Sequence, residues 1–319
     1  MEICWIEVRQ IIAVLIRLTY EQDNMKIALM INPYSGGKKG IKLLPMIEKK
    51  LSDACIEYHT YLSLYHEHTL KIASELRIDE YDAVISVGGD GTNFHVLNGL
   101  LSCFNPEQIP PVGIIPIGSG NSFSRDLDIY SVDDGIRSIV ENKTKWIDVC
   151  SFSQDEKIFY FVNLAGLGFV TDVARTAQKF KWFGDFSYII GIFHRTANLH
   201  FHDMELELDG QVISGEKCFV VFCNSKFTGG NMLMAPEAKI DDGLMDIIIV
   251  EKLSRISLLS TLPKIYSGNH VRHPAVRYIK AKTAKIKTQP DKALLPDGEV
   301  FGFTPTTITV HHKMIRYLT

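Results

Sequence analysis

Apolar residues along the chain fall first into short unbroken runs and later into alternation. Lys26-Ile-Ala-Leu-Met-Ile31, Tyr81-Asp-Ala-Val-Ile-Ser-Val87 and Val112-Gly-Ile-Ile-Pro-Ile117 have strand length and are apolar almost throughout. Between them, Ile41 to Ala54 and Thr69 to Leu76 repeat apolar residues at helical spacing. Such strands alternating with helices predict a parallel sheet buried on both faces. Beyond Asp148 come short alternating runs: Lys157 to Asn163, Met204 to Leu208, Cys218 to Cys223, Met245 to Val250 and Thr306 to His311. These predict strands of an antiparallel kind. The expected fold is an α/β domain with a parallel sheet plus a second, mainly antiparallel β domain. At roughly 150 residues per domain, a length of 319 agrees with two.

Composition narrows the picture by exclusion. With 46% hydrophobic and 22% charged residues the chain is neither disordered nor low-complexity. A formal net charge of −3 gives no basis for nucleic-acid binding, which a basic surface would serve. The six cysteines contain no CxxC pair, so neither a zinc ribbon nor a disulfide framework is indicated, and reduced thiols in the cytoplasm are expected. Near the N-terminus the longest uncharged run, Gln10 to Ile16, is far shorter than the about 20 residues a spanning helix needs. No transmembrane segment is expected. Residues 1–24 read as an N-terminal extension of uncertain role, because Met25 opens a strand directly.

Each of the three predicted strands runs into a glycine-bearing loop: Asn32-Pro-Tyr-Ser-Gly-Gly-Lys-Lys-Gly40, Gly88-Gly-Asp-Gly-Thr92 and Gly118-Ser-Gly-Asn121. In a parallel sheet these loops share the carboxyl edge, where ligands bind. Glycines allow close backbone approach to phosphate, and helix starts supply N–H donors. Three such loops point to a polyphosphate ligand. Asp90 is out of place there, since a carboxylate repels phosphate unless a metal or proton lies between them. That makes it a candidate Mg²⁺ neighbour or base toward an acceptor hydroxyl.

These motifs resemble the diacylglycerol kinase catalytic family, which includes bacterial lipid kinases and sphingosine kinases. The resemblance runs from about Met25 to the C-terminus. It rests on Asn32-Pro-Tyr-Ser-Gly36, on Gly88 to Thr92 followed by Asn98-Gly99, and on Pro116-Ile-Gly-Ser-Gly-Asn121 with Phe123 and Arg125. In the second half it rests on Asn163-Leu-Ala-Gly-Leu-Gly-Phe169, Pro236-Glu-Ala238, Asp241-Asp-Gly243 and Asp297-Gly-Glu299. It implies an NAD kinase/phosphofructokinase-like nucleotide-binding domain at 25–145 and a β-rich lipid-acceptor domain at 146–319, with ATP in the cleft between them. The implied activity is ATP- and Mg²⁺-dependent phosphorylation of a lipid hydroxyl by a cytoplasmic enzyme peripheral to the membrane. The oligomeric state stays open, a homodimer included.

By resemblance, phosphate-side contacts come from Asn32, Pro33, Tyr34 and Ser35 of the first loop and Gly88, Gly89, Gly91 and Thr92 of the second. Gly118, Ser119, Gly120 and Asn121 of the third loop join them, as do Ser63, His68, Lys181 and Gly298. The general base is Asp297 or Asp90, with Glu299 serving the nucleotide or its metal. Asp297-Gly298 also reads as a hairpin turn. Asp242, with the backbone oxygens of Lys239 and Leu244, is implied in a structural Mg²⁺ site of all-oxygen character.

Several positions depart from the family pattern. His95 stands where a Glu is common and Ser122 where bacterial members carry Asp, removing two acids from the phosphate and metal side. Asp172 is the candidate partner for a substrate amine, but Ala174 replaces the second acid that sphingosine kinases use there. Diacylglycerol-like acceptors therefore rank ahead of sphingoid bases. A catalytically weak nucleotide- or lipid-binding regulator and an NAD kinase are the remaining alternatives. The basic stretch Lys280, Lys282, Lys285 and Lys287 reads as a solvated strand edge blunted by lysine.

Overall fold

The computed structural model describes residues 25–65, 67–179 and 186–319. The expected extension at 1–24 and the expected phosphate contact Lys181 lie outside the described residues.

In the first half, β1 (Lys26–Ile31), β2 (Glu57–Leu62), β3 (Ala83–Gly88) and β4 (Val112–Pro116) form a parallel sheet in the order β4-β3-β1-β2. They are joined by α1 (Ser35–Asp53), α2 (His68–Ser74) and α3 (Asp90–Cys103), and α4 (Val132–Glu141) follows β4. Successive side chains of a strand point to opposite faces. Ile27, Leu29 and Ile31 of β1 accordingly pack on Ile47 and Leu51 of α1 and Ile139 of α4. Ala28 and Met30 turn the other way, to Val96, Leu97 and Leu100 of α3. Both faces are covered, which is why β3 is buried at every position.

The second half is built from β5 (Thr144–Gln154), β6 (Lys157–Phe161), β7 (Leu164–Gly168), β8 (His202–Leu208) and β9 (Gln211–Cys223). A two-residue ribbon, β10 (Phe227–Thr228) and β11 (Met232–Leu233), precedes β12 (Met245–Glu251), β13 (Val276–Ala281), β14 (Thr283–Gln289), β15 (Leu294–Pro296) and β16 (Thr306–Leu318). Its strand pairs are antiparallel. Between β7 and β8 the chain forms α5 (Phe169–Lys179) and α6 (Phe186–Ala197). Val220 and Phe222 of β9 face one core with Phe152, Phe161 and Ile247, while Val221 and Cys223 face another with Phe169 and Ile248.

β16 continues past the expected end at His311 as far as Leu318, and its tail lies parallel to β4 with Tyr317 opposite Val112. One sheet path therefore runs β13-β12-β9-β8-β14-β16-β4-β3-β1-β2 through both halves. The expected boundary at 145/146 falls within β5, the antiparallel partner of β16. The lysine stretch is not one edge. Lys285 and Lys287 lie on β14, an inner strand, and pair across it with Glu207 at 2.8 Å and Glu205 at 3.2 Å. Of the two strands that carry these lysines, β13 with Lys280 lies at an end of the path. Among the described residues no helix is long and apolar enough to cross a membrane.

Candidate active site

Three loops leave the carboxyl ends of β1, β3 and β4, and glycine decides how closely they meet. Gly36 has φ +58°, and a Cβ there would lie 2.1 Å from the Ile117 carbonyl oxygen, so only glycine lets the first loop reach the third. A Cβ on Gly118 would lie 2.5 Å from the Gly89 Cα, so the second and third loops touch backbone to backbone. Asn32 closes the first loop by accepting the Tyr34 N–H on Oδ1 at 3.0 Å. Asn121 closes the third, with φ +54° and its amide donating to the Gly118 carbonyl at 2.8 Å.

From the second half, the Pro296–Glu299 turn comes against the start of α3. Asp297 and Gly298 have φ of +45° and +88°, and the Glu299 N–H donates to the Pro296 carbonyl at 2.8 Å, so the expected hairpin turn is present. The turn sits so close that a Cβ on Gly91 would meet a Glu299 carboxylate oxygen. Together the loops and turn enclose a cleft of about 320 Å³.

Two carboxylates face this cleft, Asp297 buried and Asp90 half-buried. Asp297 is 2% exposed and accepts N–H bonds from Val162 at 3.1 Å, Asn163 at 2.9 Å and Leu164 at 3.0 Å. Burial pushes its carboxyl up to about 7; the Val162, Asn163 and Leu164 N–H groups oppose that shift, and the nearby Asp90 charge adds to it. Asp90, the first residue of α3, accepts from the Ser122 N–H at 2.9 Å and the Phe123 N–H at 3.1 Å. Burial raises it as well, against those bonds. At neutral pH Asp297 therefore carries less than its full charge.

Of the residues expected on the phosphate side, Asn32, Ser35, Ser63, Gly89, Gly91, Thr92, Gly118, Ser119, Gly120 and Gly298 line the cleft, as do Asp90, Asp297 and Glu299. Others do not. Tyr34 is exposed, and Gly88 stands behind the cleft, where a Cβ would strike the Thr92 side chain at 2.2 Å. His68 instead accepts the Leu64 N–H at 3.0 Å and stacks on Tyr65, a residue of the cleft lining. Asp172 is outside the lining, 3.8 Å from His202.

Sequence reasoning passed over Tyr65, Glu67 and Thr69, which line the cleft from the start of α2. No local pattern marks them. It also left Asn98-Gly99 without a role. Asn98 donates to the Tyr160 carbonyl and accepts the Tyr160 N–H, both at 2.8 Å, which fastens α3 to β6. A Cβ on Gly99 would lie 2.3 Å from the Leu70 carbonyl oxygen, so glycine lets α2 and α3 pack closely. Asn163-Leu164 is explained by its N–H bonds to Asp297.

At the expected structural Mg²⁺ site a lysine ammonium stands against the carboxylate. One Asp242 oxygen accepts the Leu244 N–H at 3.1 Å, and the other lies 3.4 Å from the Lys280 ammonium. A cation already holds this carboxylate. Among the described residues no group of three or more His, Cys, Asp or Glu side chains is arranged to hold a metal.

Residues 26–152 match the family described as diacylglycerol kinase catalytic domain, and residues 164–319 match the YegS C-terminal NAD kinase beta sandwich-like domain. A diacylglycerol kinase of Staphylococcus haemolyticus (strain JCSC1435) is 33% identical over 281 residues, covering 87% of this chain and 83% of that protein. One from Staphylococcus saprophyticus subsp. saprophyticus is 32% identical, covering 87% and 90%. The crystal structure of a diacylglycerol kinase from Bacillus anthracis str. Sterne superposes with a TM-score of 0.71 over 93% of this chain and 98% of that one. At 23% identity this likeness shows the fold. A further structure from that organism reaches a TM-score of 0.77 at 26% identity, with the same coverage.

Proposed function

Because the chain belongs to the diacylglycerol kinase catalytic family, whose members are lipid kinases, we propose that it transfers the γ-phosphoryl group of Mg²⁺-complexed ATP to the hydroxyl of a diacylglycerol-like lipid at a membrane surface. The observation that carries this is Asp297. A buried carboxylate aimed by three N–H donors, with its pKa near 7 and the glycine loops across the cleft, is suited to take the acceptor's proton. In the step, the acceptor O–H proton passes to Asp297 as the acceptor oxygen bonds to the γ-phosphorus. The bond from that phosphorus to the β–γ bridging oxygen breaks, and ADP leaves.

In the same reading the triphosphate brings Mg²⁺ with it, which would supply the charge neutralisation that phosphoryl transfer requires. Backbone N–H groups of the glycine loops and the Thr92 hydroxyl then orient the phosphates. A sphingoid acceptor would bring an ammonium that wants a carboxylate partner. Asp172, its candidate, stands off the cleft beside His202, which favours the acylglycerol.

The test is transfer of labelled γ-phosphate to diacylglycerol, monoacylglycerol, sphingosine, ceramide and undecaprenol in mixed micelles, and to NAD. The expected outcome is Mg²⁺-dependent labelling of diacylglycerol, lost in Asp297→Asn. Labelling of sphingosine alone would reject the acceptor class. ATP binding with no labelled product would reject the kinase in favour of a regulator.

A further inference from the structure

The edge strand β13 places Lys280 where it meets three oxygens at once. Its ammonium lies 3.4 Å from an Asp242 carboxylate oxygen, 3.4 Å from an Asp246 carboxylate oxygen and 3.3 Å from the Glu237 carbonyl oxygen. Lys280 and Asp246 are directly opposite each other across β13 and β12. Asp246 is 0% exposed, and both the Lys280 ammonium and the Tyr278 hydroxyl face its carboxylate. Tyr278, two residues before Lys280, accepts the Glu237 N–H at 3.0 Å and ties the same loop to β13.

We propose that the Lys280 ammonium is the built-in cation of the 237–246 segment, standing where a divalent ion would otherwise bind Asp242, so that this half of the protein is held together without metal. An ammonium has three donors, and three oxygens surround this one. Mg²⁺ demands a near-octahedral shell of oxygens at 2.0–2.1 Å, whereas here the ammonium already faces both carboxylates. A dication entering beside it meets like charge. Taking the lysine away leaves a bare carboxylate pair and a carbonyl, an oxygen set that does suit a divalent ion.

The experiment reads thermal unfolding and Mn²⁺ binding by electron paramagnetic resonance, neither of which depends on the lipid acceptor. For the wild type, Tm is expected to be the same in EDTA and in millimolar MnCl₂, and Asp242→Asn is expected to remove no bound Mn²⁺. Lys280→Ala is expected to melt several degrees lower in EDTA, to regain that loss in MnCl₂, and to bind one more Mn²⁺ than the wild type. The regain is expected to vanish in Lys280→Ala/Asp242→Asn. Wild-type Mn²⁺ binding that Asp242→Asn abolishes would overturn the proposal, even if Lys280→Ala failed to fold. A folded Lys280→Ala that ignores Mn²⁺ would overturn it too.

Discussion

Replacing Asp297 with asparagine separates what the carboxylate does for chemistry from what it costs the fold. Asparagine keeps one oxygen for the Asn163 and Leu164 N–H groups, but its amide NH₂ then faces the Val162 N–H, donor against donor. Leaving that buried donor unpaired costs about 1–3 kcal/mol. Against this stands the relief of a buried charge. The carboxyl is raised from 3.8 to about 7 in the folded protein. A folded pKa above the unfolded one means that stability is fully present below pH 3.8 and is lost as pH rises through 7. Roughly three units at 1.36 kcal/mol each remove about 4 kcal/mol by pH 8.

The asparagine variant escapes that loss. It is expected to be more stable than the wild type by about 1–3 kcal/mol at pH 8. At pH 5, where the folded wild type already holds the proton, the advantage is expected to shrink to zero or reverse. Its kcat is expected to fall by about 10²–10⁴-fold, the range for loss of a general base. Urea denaturation at both pH values, beside a phosphoryl-transfer assay, measures all three quantities. Equal destabilisation at pH 5 and pH 8 would refute the buried-charge account, and retention of most of the activity would refute the base assignment.

Three further outcomes follow from the same geometry. Wild-type kcat is expected to climb with pH toward a plateau above about 7 and to lie about tenfold below it near pH 6, as Asp297 takes up its proton; a profile flat from pH 5 to 8 counts against Asp297 as base. Gly36→Ala puts a Cβ 2.1 Å from the Ile117 carbonyl oxygen at a left-handed φ, and is expected to raise KM for ATP more than tenfold in steady-state kinetics. Asn98→Ala strands the Tyr160 N–H and should lower stability by about 1–3 kcal/mol; because Asn98 lies outside the cleft lining, KM for ATP should stay unchanged.

Much of the first half was legible in the chain because its signals are local. β1 is found at its predicted bounds, and β3 and β4 lie within two residues of theirs, since an unbroken apolar run buried on both faces needs no distant partner to be recognised. The glycine loops were legible for the same reason. Strand β2 was not, because most of its positions are part-exposed or exposed, and the lysine stretch of β13 and β14 was legible as a strand edge but not as two strands. Their pairing partners decided them. Asn98-Gly99 was visible as a motif, but its purpose depends on Tyr160 and Leu70, which only packing brings near.

The amino-acid sequence by itself determined the alternation of elements, the three phosphate-type loops and the acids available to them, because each is written in a few neighbouring residues. Only the tertiary structure decided which acids meet. Asp297 reaches the Asp90 loop because β15 is laid beside β7, whose flanking N–H groups then grip its carboxylate. That burial, not residue type, sets its proton affinity. Lys280 came to hold Asp242 through the register of β13 on β12, and Asp172 was turned to His202 instead of the cleft. Charges act across space at a few ångströms, and the order of residues along a chain does not record those distances until the sheet has closed.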